Sequence, residues 1–178
     1  MKKSLALLLI MILVLSPSKA FAENYTLSTV NKLYFEDYKT RIKEVKDAQK
    51  LLKNGSCNDV ILLSKKSQAS TENYKKLVKS KASKTTLASA KALRDQDKKA
   101  LSAARKVCSK KINEAKRESN ARLKELDNYK NELAKMILNH LKERDQLSQD
   151  SFNKQVYGGL TYIDETFTSI TQSLKTIN

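Results

Sequence analysis

Tryptophan is absent from this 178-residue chain, and histidine and proline occur once each, as His140 and Pro17. With one histidine, no Ser-His-Asp or Cys-His relay can be assembled with any redundancy. The helical di-iron pattern asks for a glutamate three residues before the histidine, and position 137 is Ile. The three glycines, Gly55, Gly158 and Gly159, do not supply the spaced glycines of a phosphate loop. Two cysteines, Cys57 and Cys108, are too few for a structural zinc site. The reading is of a non-enzyme with no cofactor and no metal site. Strict alternation of apolar and polar residues is missing too, which excludes a β architecture.

No apolar run reaches the roughly 20 residues that span a bilayer. The longest is the eleven residues Leu5–Leu15, preceded by Lys2 and Lys3 and followed by Ala20-Phe21-Ala22. That order, basic then apolar then A-x-A, is a secretory signal. Residues 1–22 are therefore expected to be cleaved, leaving 23–178 as one exported domain, periplasmic or extracellular, without a transmembrane segment. In an oxidising compartment, Cys57 and Cys108 are expected to form a disulfide.

What is present is helix-forming residues and lysine. Beyond residue 22 there is no proline, and the glycines fall at two sites, so the chain reads as all-α. The expected architecture is an elongated, coiled-coil-like bundle of about four helices. A first helix is predicted over 26–53, carried by Val30, Tyr34, Tyr38, Ile42 and Val45, and ended by Asn54-Gly55-Ser56. Asn58 or Asp59 can cap the next helix. The midpoint of the cysteines lies between Ala82 and Ser83, so folding there makes an antiparallel hairpin, 57–108, with arms of about 37 Å. Its second arm offers only small packing residues, among them Ala88, Ala92, Ala100, Ala103 and Ala104, with Leu93, Leu101 and Val107. Such an arm buries little area, so a crosslink worth about 4 kcal/mol in the chain-entropy model would be a structural need.

Heptad spacing follows in Ile112, Ser119, Leu126, Leu133, His140 and Leu147, which predicts a coiled-coil-like helix to about residue 156. Gly158-Gly159 is read as a turn into a last helix, 160–177. There Leu160, Ile163, Phe167, Ile170, Leu174 and Ile177 form an apolar seam, for packing against 26–53 and 112–156 or for an oligomer.

Charge is distributed unevenly. Residues 60–117 hold 17 Lys and Arg against four acids, a net +13, while the rest of the chain beyond residue 22 nearly cancels. The densest groups are Lys65-Lys66, Lys75-Lys76, Lys98-Lys99, Arg105-Lys106 and Lys110-Lys111. These form the candidate surface for an anionic partner. Nucleic acid fits poorly. Tyr74 is the only aromatic in the block, whereas single-strand binders interleave stacking platforms. Lysine also outnumbers arginine 14 to 3, against the preference of bidentate phosphate and base recognition. The expected partner is an acidic protein or an anionic envelope component, met by a protruding basic hairpin on a nearly neutral base. In plan, though not in signature residues, such a chain resembles periplasmic holdase chaperones and helical accessory subunits of bacterial secretion machines. A holdase, or a secreted effector or secretion-system accessory subunit, is therefore the alternative to a docking protein, and self-association is compatible with each.

Overall fold

The computed structural model describes residues 25–53 and 57–177, and every regular element among them is helical. The expected signal segment 1–22 and the Asn54-Gly55-Ser56 turn lie outside the described residues. Five helices follow in order: α1 Leu27–Tyr34, α2 Tyr38–Leu51, α3 Asn58–Lys79, α4 Lys84–Leu141 and α5 Gln149–Lys175. The disulfide between Cys57 and Cys108 is formed, with Cα atoms 6.0 Å apart.

Three helices begin on a hydroxyl cap. Thr26, Ser83 and Ser148 each accept a bond from the amide three residues on, at 3.2–3.3 Å. The start of α3 differs from expectation. Cys57 occupies its cap position with no side-chain bond, and Asn58 is already helical. Asp59 still places a negative charge in the first turn, where the helix dipole favours it.

The predicted single helix 26–53 is broken. At Phe35 the backbone leaves the helical region (φ −129°, ψ 29°), and a short turn leads into α2. The break is a packing decision. An unbroken helix would align Tyr34 with Val30 and swing Phe35 off the stripe. Here Phe35 and Tyr38 are both buried, while Tyr34 is only half-buried. The more apolar ring takes the interior.

A second correction concerns Gly158-Gly159. The chain does not turn there, because α5 runs unbroken through both glycines, so neither 112–156 nor 160–177 is a separate helix. The turn lies at 142–148. At its start the amide of Arg144 bonds the Asn139 carbonyl and that of Glu143 the His140 carbonyl, with Glu143 at φ 53°. This is the Schellman closure. The hairpin turn repeats it, with bonds from Ala82 to Leu77 and from Lys81 to Val78 and Lys81 at φ 53°. Both sharp turns place a non-glycine residue in the left-handed position.

The described residues divide into two compact units. One takes the residues up to Val45 with Ala121–Ile170. Its core includes Val30, Val45, Leu126, Ile137, Phe152 and Phe167, and Tyr38 meets Phe167 edge-on at 5.2 Å. Gly159 is buried against Leu133, whose methyl carbons lie 2.6 and 3.0 Å from where a Cβ would stand. The glycine thus serves close helix approach. Arg41 ties α2 to α5, bonding Asp164 Oδ1 at 2.8 Å and Thr168 Oγ1 at 3.1 Å. At the end of α4, His140 stacks on Phe152 at 3.9 Å and pairs through Nδ1 with Asp145 at 2.9 Å.

The other unit comprises Lys46–Asn120 and residues 171–177 and contains the hairpin of α3 and the first part of α4. Of the predicted terminal seam, Ile163, Phe167, Ile170 and Leu174 are buried within the single chain, while Leu160 and Ile177 are half-buried. The heptad residues Ile112, Ser119, Leu126 and Leu133 are buried as well, on a helix unbroken from 84 to 141.

Candidate interaction surface

The hairpin core is small and partly polar. Val60, Ser67 and Ser70 are buried on α3, and Ala90, Asp97 and Cys108 on α4. The expected packing face of α4 is therefore displaced. Ala88, Ala92, Leu93, Ala103 and Val107 are exposed. The disulfide accounts for the choice. With Cys108 joined to Cys57, the residues that share its face at steps of three and four back along α4 are Ala104, Leu101, Asp97, Arg94 and Ala90. All of these are buried or half-buried, whereas Leu93 and Val107 fall on a neighbouring face.

That register brings an acid inside. Asp97 is 2% exposed; Lys66 Nζ lies 3.3 Å from its Oδ1, while Oδ2 has no hydrogen-bond partner. A buried carboxylate held on one side by a largely exposed lysine is a costly core residue. The buried Ser70 does not relieve it, since its hydroxyl donates to the Ser67 carbonyl at 3.2 Å.

Around this polar core the charge faces outward. Lys65, Lys66, Lys75 and Lys76 on α3 are all exposed, as are Lys98, Lys99, Arg105, Lys106, Lys110 and Lys111 on α4. Of these ten, Lys66 is engaged with Asp97, and Lys110 makes a loose contact with Glu114 at 3.9 Å. No ion pair joins the other eight to an acid among the described residues. Sequence reading by adjacent pairs overlooked a longer order. Lys84, Lys91, Lys98 and Arg105 stand seven apart and exposed on one continuous helix, a line of cations at about 10.5 Å intervals. Seven-residue spacing was the signal that could have found Lys84 and Lys91.

Asp95 sits within that line. The hydrogen bond from Arg94 (Nη2 to Oδ1 2.7 Å) holds its carboxyl below the ordinary carboxylate range, and Lys91 and Lys98 add to the effect. Arg94 also covers Tyr74, its guanidinium carbon 4.5 Å from the ring centroid. The block's one aromatic is thus occupied within the hairpin and is not an open stacking platform. No protein-family model, curated protein or solved structure matches the chain.

Proposed function

We propose that this is an exported, non-enzymatic helical interaction protein whose disulfide-closed basic hairpin docks on an acidic partner or an anionic envelope surface. One observation carries the reading: a segment of net +13 whose lysines are mostly exposed and, among the described residues, mostly without an ion-pair partner. Self-repulsion in such a segment works against folding. A charge distribution of that kind is useful where an outside anion neutralises it. The disulfide supports the same reading, because it stiffens arms whose own packing is thin, so that the cations are presented on fixed helices. The decisive experiment is a crosslinking pull-down from the native envelope and medium, using the wild-type chain and a Lys75→Glu, Lys76→Glu, Lys98→Glu, Lys99→Glu variant. Capture by the wild type and loss in the variant, with helicity retained, is the expected result. Equal capture by both would sink the proposal.

A further inference from the structure

The choice of packing face on α4 leaves a second face uncovered. Ser89, Leu93, Gln96, Ala100, Ala103 and Val107 follow a 4-3-4-3-4 spacing, which keeps them on one line of a straight helix. Leu93 is 45% exposed and Val107 55%; Ser89, Gln96 and Ala103 are exposed and Ala100 half-buried. This is a heptad line, apolar at Leu93, Ala100, Ala103 and Val107, left open to solvent over most of its length among the described residues. With Lys110 as its next position, it runs about 32 Å, or three heptads.

The open flank of the seam is basic, while the other flank, Ala90, Asp97 and Ala104, is turned into the hairpin. In heptad terms Lys99 and Lys106 occupy one flanking position in successive turns, and Lys111 lies on the opposite flank. All three are exposed, and none pairs with an acid among the described residues. Flanking charges of this kind select the partner of a coiled coil. A second copy would bring lysine against lysine. A polymer of phosphates or acidic sugars would read the charge but has no use for Leu93 and Val107. Exposed apolar side chains in register beside a row of cations match an occupant that is both apolar and acidic along one helical face.

We propose that the outer face of α4 from Ser89 to Lys110 is a docking seam for an acidic amphipathic helix of about three heptads. Its small apolar residues would lie over Leu93, Ala100 and Val107, and its flanking carboxylates would meet Lys99, Lys106 and Lys111. This rests on the proposed docking function and narrows its partner to a helical protein segment.

The test uses the full-length chain with its disulfide intact. Fluorescence anisotropy would measure binding of a labelled three-heptad helical peptide with Leu and Ala at its seam and Glu at its flanks. A Lys-flanked counterpart and phosphatidylglycerol vesicles serve as comparisons. The expected result is binding of the Glu-flanked peptide and not the Lys-flanked one. The Leu93→Gln/Val107→Gln variant should bind that peptide at least about tenfold more weakly, with any vesicle binding unchanged. Lys99→Gln/Lys106→Gln should also weaken the peptide. Peptide affinity unaltered in Leu93→Gln/Val107→Gln overturns the seam and leaves charge-driven docking standing. Capture of vesicles without the peptide likewise overturns it, in favour of an envelope surface. If neither peptide nor vesicle binds, and the native pull-down is also empty, the docking function falls with it.

Discussion

Two adjacent glycines in the middle of one helix should respond to the same substitution with different results. Gly158 and Gly159 both lie within α5, so alanine at either gains the same helix propensity, about 1 kcal/mol. Nothing lies within 4 Å of a Cβ added at Gly158. Gly158→Ala should therefore stabilise by that amount, raising Tm by roughly 2–4 °C for a chain of this size. At Gly159 the added methyl would stand 2.6 Å from one Leu133 methyl carbon, 3.0 Å from the other and 3.2 Å from the Tyr129 hydroxyl. Tyr129 is 40% exposed and can yield, but Leu133 is 6% exposed, so the two closest contacts have little open space to move into. Overpacking of this kind costs about 1–3 kcal/mol. Propensity cancels in the difference, so the two variants should separate by the overpacking cost alone, roughly 2–12 °C in Tm. Thermal unfolding followed by circular dichroism reads this directly. Equal stabilisation by both would refute the close approach of α4 and α5 at Gly159. A loss at Gly158 would refute the unbroken helix and restore the turn that the glycine pair suggests in sequence.

Reduction of the Cys57–Cys108 bond, or Cys57→Ser/Cys108→Ser, removes a crosslink 51 residues apart in sequence. It should cost about 4 kcal/mol, seen as a lower denaturant midpoint and faster proteolysis within 57–108. Asp97→Leu replaces a buried carboxylate that has one unpartnered oxygen, and should raise stability by about 1–4 kcal/mol; a lower Tm would mean that the acid is needed against the surrounding cations. Burial, with the Asp127 charge adding, pushes the Tyr38 phenol well above its ordinary value of 10.0. The phenolate therefore forms first in the unfolded chain, so Tyr38 takes nothing from stability below pH 10 and lowers it as pH rises beyond. Tyr38→Phe should flatten that alkaline loss. It should also leave the protein at least as stable at neutral pH, because the Tyr38 hydroxyl is buried without a hydrogen-bond partner.

What could be read from residues alone depended on contrast. The heptad from Ile112 to Leu133 was legible because large apolar side chains stand among charged ones, and the same four positions are buried. The hairpin turn was legible because two cysteines read as one pair impose a midpoint, and the helices do part between Lys79 and Lys84. The real end of α4 was not legible. Glycine is the residue that normally marks a left-handed cap, yet Lys81 and Glu143 fill those positions while Gly159 is spent on a helix contact. The face of α4 was obscured by a different cause. Between residues 87 and 108 its apolar residues are mostly alanines spread around the helix, so Leu93-Ala100-Val107 and Ala90-Leu101-Ala104 have nearly equal claims to the interior. Area cannot decide between them when each side buries so little. The covalent bond at Cys108 decides, and in doing so it draws Asp97 inward and turns Leu93 and Val107 out. The same register that gives the hairpin a poor core is the one that gives it an apolar line beside Lys99 and Lys106. A hairpin built only to persist would have paired the other face. That the crosslink enforces the costlier register is the strongest physical reason to expect something to dock along α4.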